Sequence, residues 1–155
     1  MRFHAILGPL LAVSALALGS PVHALERADV PAKYQWDLAS LFPNEAAWVA
    51  AKQDFARGMP ALAAWQGKLG RSASDLLAGM TAWEQSSRQA ERLYAYASQL
   101  YDQDTRVGRT QQMQQEMSQV YSTFESTASF MRPEILALGR DRIDAFVAAE
   151  PRLRQ

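Results

Sequence analysis

Histidine and cysteine carry most metal and nucleophilic chemistry in proteins, and this chain has two of the first and none of the second. Both histidines, His4 and His23, lie in the first 24 residues, so residues 25–155 hold neither type. That removes the usual zinc ligands and the usual general base for a serine nucleophile. A Ser–Lys pair through Lys33, Lys52 or Lys68 is the remaining option, and no spacing selects one. Asp102-x-Asp104 is the densest carboxylate pair, but Thr105 to Gln115 does not supply the central Gly and terminal Glu of a calcium loop. Turn and cap duty suits the pair better. Met80, Met113, Met117 and Met131 sit on apolar stripes; without His or C-x-x-C-H they read as adaptable core packing, not haem ligation. The tyrosine set Tyr94, Tyr96, Tyr101 and Tyr121 is more promising, because a long helix with Tyr on two adjacent faces can pack one inward and line a groove with another. Tyr94, Tyr96 and Tyr101 are therefore the candidate groove-lining residues. No catalytic and no metal-ligating residue is assigned.

These side chains need helices to position them. From Ser72, a Ser72-x-x-Asp75 cap opens an apolar run whose positions 76, 80, 83, 87, 90, 94, 97 and 101 step by fours and threes, with Leu77, Leu93 and Leu100 broadening the stripe. The spacing predicts one helix of about 28 residues, about 42 Å long. Asp102 to Thr105 marks a turn, and Met113, Met117, Val120, Tyr121, Phe124, Ala128 and Met131 outline a second long helix. A short connection between two long amphipathic helices predicts an antiparallel hairpin. Before it, Asn44 caps a helix carrying Ala47, Trp48, Ala51 and Phe55; Pro60 predicts a kink, or a split with a second piece carrying Leu62, Trp65 and Leu69. After it, Pro133 closes one helix or opens the next, Gly139 stops it, and Ile143, Phe146 and Val147 outline a last helix ending at Pro151. No alternating strand pattern, phosphate loop or repeat is present. The fold class is all-α: a long helical hairpin plus flanking shorter helices.

The first 24 residues read as a cleavable signal peptide. Arg2 precedes the uncharged apolar run Ala5 to Leu18; Gly19, Ser20 and Pro21 break it, and cleavage falls between Ala24 and Leu25. The run is shorter than the about 20 apolar residues of a membrane span, so no stable membrane anchor is expected and the product is exported, periplasmic or secreted. Residues 25–43, with Pro31, Pro43, Tyr34, Trp36 and Phe42, predict an extended aromatic arm packed onto the helices of residues 44–155. Acidic and basic side chains number 16 each and alternate in sign, so no basic face for nucleic acid is visible.

The segments Val30 to Leu38 (VPAKYQWDL) with Leu41-Phe42, Ala64 to Leu69 (AWQGKL), Arg92 to Ser98 (RLYAYAS) leading into Tyr101 to Thr105 (YDQDT), and Phe130 to Leu136 (FMRPEIL) resemble, in order, the N-terminal region of the oligoendopeptidase F group of thimet-type zinc oligopeptidases. The resemblance implies an all-helical N-terminal domain forming one wall of a deep channel that admits short peptides. It places zinc on an H-E-x-x-H helix, with a further Glu ligand, in a catalytic domain beyond this region. This sequence contains no H-E-x-x-H, so no catalytic residue carries over, and zinc is a cofactor of the complete enzyme only. The expectation is the N-terminal part of an exported zinc metallo-oligoendopeptidase, truncated at its C-terminus and inactive alone, whose oligopeptide substrates are reached through a missing catalytic domain. An interrupted reading frame, a deliberately cut chain or one half of a split enzyme would each produce it. The alternative is a standalone periplasmic helical module that binds peptides or a partner protein. Under the first reading, Ile143, Phe146, Val147 and the aromatic arm lack part of their packing surface, which predicts an exposed apolar patch on the C-terminal side of the hairpin.

Overall fold

The computed structural model describes residues 29–154, and the signal segment with its Ala24–Leu25 cleavage site lies outside them. The described residues are all-helical: α1 (Glu45–Ala63), α2 (Ala73–Gln103), α3 (Gly108–Ala128) and α4 (Met131–Ala149), with short 3₁₀ turns at Ala32–Tyr34, Leu38–Ser40 and Pro151–Arg154. Asn44 caps α1 by accepting the Ala47 N–H at 2.9 Å, and Ser72 caps α2 by accepting the Asp75 N–H at 3.0 Å. Each serves an amide that has no partner inside its helix.

α1 passes through Pro60 without splitting and places Trp48, Phe55 and Leu62 on one buried stripe. It ends at Ala63, so Trp65 and Leu69 lie in the turns that follow, where Gly67 takes φ 75°. α2 buries Leu76, Gly79, Ala90, Leu93, Tyr96 and Ala97. Positions 76, 90 and 97 of the expected stripe are buried, as is Leu93 from its broadened edge, but Gly79 and Tyr96 take inward places where Met80 and Tyr94 were expected. Leu93 is wholly apolar and takes the core place that a phenol would have occupied at the expense of its hydroxyl's solvation. α3 buries Met113, Met117, Phe124 and Ala128 as expected but ends at Ala128, so Met131 opens α4 instead of closing α3. Tyr94 of α2 meets Tyr121 of α3, and Ser86 and Gln89, further back along α2, share a small cleft with Phe124, further on along α3.

Trp48 is the centre of the core. Fully buried, it donates its indole N–H to the Leu93 carbonyl at 2.9 Å and stacks on Tyr96 at 6.4 Å. The Lys52 ammonium lies over the Trp48 ring, 4.6 Å from its centroid. Phe42 meets Tyr96 edge-on at 5.4 Å, and the Arg92 guanidinium covers Phe42 while donating to the Leu41 carbonyl. The arm is therefore anchored at Leu38, Leu41 and Phe42. Tyr34 and Trp36 remain exposed, Trp36 by 50%, against the expectation that all three aromatics pack down. The local reason is the pair of 3₁₀ turns, which carries residues 32–36 away from the helices before Leu38 enters the core.

Pro133 sits in the first turn of α4, where its missing N–H costs nothing. Gly139 (φ 70°, ψ 166°) breaks α4 in two. Beyond the break, Ile143, Phe146 and Leu153 are partly buried against the core. The apolar patch expected there is thus largely closed, because the break lets the second half of α4 fold back. Arg142 fastens it, donating to the Gly70 carbonyl at 2.6 Å, and Glu134 accepts the Gly67 N–H at 2.6 Å. No buried side-chain polar atom among the described residues lacks a partner.

Candidate functional site

At least four concavities border α2, and the two roomiest of these differ in charge. One, of about 480 Å³, is lined by Leu77, Met80, Trp83, Arg88, Arg152 and Leu153 among others. Its cations are already matched: Arg88 pairs with Glu84, and Arg152 pairs with Glu150 at 2.8 Å, which pulls the Glu150 carboxyl down to about 2. A site whose charges neutralise one another offers a ligand little electrostatic selection.

The other concavity, about 550 Å³, runs between α2 and α3 and is lined by Glu91, Tyr94, Ser118, Tyr121 and Ser122. Its walls are two phenol rings 5.9 Å apart, inclined at 57°. Tyr121 is held from below by Phe124, edge-on at 6.0 Å, and Phe124 by Phe55 at 5.7 Å. An aromatic series thus runs from the core to Tyr94, which is 39% exposed. Burial raises the Tyr121 hydroxyl above its ordinary value, and the carboxylates of Glu125 and Glu91 raise it further. The phenol is therefore neutral at physiological pH and acts through its ring and its hydroxyl proton. Ser118 donates to the Gln114 carbonyl of its own helix at 3.1 Å, not to Glu91. The geometry suits binding. It offers no activated nucleophile.

The three candidate tyrosines separate. Tyr94 lines the cleft. Tyr96, 5% exposed between Trp48 and Phe42, is a core residue and lines no groove; burial raises its hydroxyl, with Glu45 adding to the effect. Tyr101 is half-buried two turns further along α2, outside the cleft. The inward face of α2 explains the exchange: turning Leu93 inward puts Tyr96 on the buried side and Tyr94 at its rim. Tyr121 belonged to the tyrosine set that the sequence singled out, though not to its three groove-lining candidates, and Glu91 was not singled out. Its signal was available, since it stands three residues before Tyr94 on α2.

A cluster of charges ties the helices that carry this cleft. Glu45 at the start of α1 accepts from Arg109 at 2.7 Å, Arg109 also reaches Glu116 at 3.2 Å, and Glu116 pairs with Lys52 of α1. Hydrogen bonding by Lys52, opposed by burial and aided by Arg109, holds the Glu116 carboxyl below its ordinary value. Asp104 accepts from the Arg106 backbone at 3.0 Å and from its guanidinium at 2.9 Å, which is the turn duty expected of it. No three His, Cys, Asp or Glu side chains converge among the described residues, and none of their helices is long and apolar enough to cross a membrane.

Comparison with known proteins finds relatives for this chain. It is similar to the group B oligopeptidase PepB of Streptococcus agalactiae serotype III (strain NEM316), with 31% identity over 129 residues, 83% of this chain and 22% of the relative. It is similar to the oligopeptidase PepF of Bacillus subtilis (strain 168), with 30% identity over 83% of this chain and 19% of the relative. Against the plasmid-encoded oligoendopeptidase F of Lactococcus lactis subsp. cremoris the identity is 30% over 76% of this chain and 20% of the relative. The chain spans about a fifth of the length of the curated relatives it matches. No family model matches the chain, and no solved structure does.

Proposed function

We propose, on the premise that this chain is homologous to the oligoendopeptidase F group of oligopeptidases, that it is a helical, non-catalytic wall of a peptide-hydrolysing enzyme. The hairpin of α2 and α3 presents the Tyr94–Tyr121 cleft toward the peptide. The first 24 residues direct export, and the periplasm or the medium is the destination. Hydrolysis belongs to a zinc centre outside residues 25–155, on the family's H-E-x-x-H helix. The residues present do not fit such a centre: residues 25–155 hold no His or Cys, and no carboxylate cluster replaces them among the described residues. What this chain contributes is shape, a firm backing for the cleft and binding surface.

The observation that carries the reading is the alignment with peptidases over 83% of the chain. A self-standing exported module that binds peptides or a protein is the second reading, favoured by the closed core: every buried side-chain polar atom among the described residues is partnered, and Ile143 and Phe146 pack inward. One assay separates enzyme from wall. The purified chain, incubated with a quenched fluorescent oligopeptide with and without added zinc, is expected to leave it intact. Chelator-sensitive turnover would overturn the non-catalytic assignment. A chimera in which residues 25–155 replace the matching segment of Bacillus subtilis PepF is expected to cleave the peptide; a folded, inactive chimera would favour the self-standing module.

A further inference from the structure

The Tyr94–Tyr121 cleft has a charge feature that a general peptide groove does not need. Glu91, one turn before Tyr94 on α2, lines it, and Glu125 stands one turn after Tyr121 on α3. Glu91 lines the cleft beside Tyr94 and Tyr121, and Glu125 lies close enough for its charge, like that of Glu91, to raise the Tyr121 hydroxyl. Neither makes an ion pair among the described residues. The nearest arginines of α2 are engaged elsewhere: Arg88 with Glu84, and Arg92 with the Leu41 carbonyl and the Phe42 ring. Two aromatic rings flanked by two uncompensated negative charges attract a cation on both counts, through the ring faces and through the carboxylates. The other roomy concavity of α2 has balanced charges and no such preference.

We propose that this cleft binds the cationic side chain, arginine or lysine, of a peptide. The aliphatic stem lies along the Tyr94 and Tyr121 rings while the charged head reaches Glu91 and Glu125. The proposal rests on the reading of the chain as a peptide-facing wall and names the residue class that the wall selects. A phenol pair 5.9 Å apart leaves its faces accessible at the Tyr94 side, where exposure is greatest. The rigid support of Tyr121 by Phe124 reduces the ordering that binding would otherwise require.

The test uses the purified chain with ¹³C-labelled tyrosine rings and two probes, acetyl-Ala-Arg-Ala-amide and its citrulline counterpart, which has the same shape without the charge. The arginine peptide is expected to shift the Tyr94 and Tyr121 ring signals and to bind about tenfold more tightly than the citrulline peptide. Glu91→Gln with Glu125→Gln, both at exposed positions without ion pairs, is expected to abolish most of that preference; Tyr94→Phe keeps it and Tyr94→Leu removes it. Equal binding of the two probes would overturn the cation site. So would arginine-peptide binding that leaves the Tyr94 and Tyr121 signals unmoved, although the peptide-facing wall would then survive. Failure of the wall reading has its own readout in the chimera.

Discussion

Gly79→Ala sets two opposite effects against each other at one position of α2. Inside a helix, alanine is favoured over glycine by about 1 kcal/mol. The added Cβ, however, would lie 2.3 Å from Leu69 Cδ2, with the Trp65 ring at an ordinary 3.6 Å. Carbon atoms in contact stand about 3.5–4.0 Å apart, so Leu69 has to retreat by more than about 1 Å. Leu69 is fully buried and has no solvent to retreat into. Overpacking of this kind costs about 1–3 kcal/mol, which cancels or outweighs the helical gain and leaves a net loss of about 0–2 kcal/mol. Urea unfolding followed by far-UV circular dichroism measures it. The decisive arm is the Leu69→Ala background, where the obstructing methyl is gone: there Gly79→Ala should stabilise by about 1 kcal/mol, giving a coupling of about 1–3 kcal/mol between the sites. If Gly79→Ala stabilises the unmodified protein, or acts equally in both backgrounds, the reasoning fails.

Three further outcomes follow from features of the same fold. Gly139→Ala meets no atom within 4 Å, so its cost is conformational alone, about 1–3 kcal/mol for a φ and ψ that only glycine adopts freely, and thermal denaturation should show it. Trp48→Phe keeps a ring in the core but loses the hydrogen bond to Leu93, for an expected loss of about 1–2 kcal/mol in urea unfolding. Because the Glu116 carboxyl is held below its ordinary 4.5, its stabilising contribution is complete above that value and is lost as pH falls below it; Lys52→Met should flatten the stability profile on that acid side, measured by urea unfolding at a series of pH values.

Much of the architecture can be read from local chemistry. Asn44 and Ser72 cap as expected, because a side-chain oxygen beside orphan amides acts within three residues. The turn expected from Asp102 to Thr105 starts later, at Asp104, because α2 runs on through Gln103. What spacing alone could not settle was which of two adjacent stripes α2 turns inward, since Leu93 and Tyr94 are neighbours and both apolar. That choice depends on Trp48, 45 residues earlier, whose indole selects the Leu93 carbonyl. The arm was misjudged for a similar reason: its aromatics are individually fit for burial, but the 3₁₀ turns bring Leu38, Leu41 and Phe42 to the helices and leave Tyr34 and Trp36 exposed. In the cleft, Tyr94 and Tyr121 were both legible as residues of one tyrosine set, but only the packing of α2 on α3 pairs them. Glu91 gains its meaning from a helix that lies some 30 positions on.

The ion cluster that joins α1 to α3 also says when the protein can finish folding. Lys52 and Glu116 are 64 residues apart, whereas α2 and α3 are joined by residues 104–107 alone. Closing a short loop costs less entropy than closing a long one, so α2 and α3 can find each other before α1 has a complete surface to settle on. During synthesis at about 5–20 residues per second, the face of Trp48, Phe55 and Leu62 waits several seconds for the α3 half of its seat. For that interval α1 is an unsheltered apolar stripe, which makes it the segment on which holding chaperones would act and the first place where misfolding would begin.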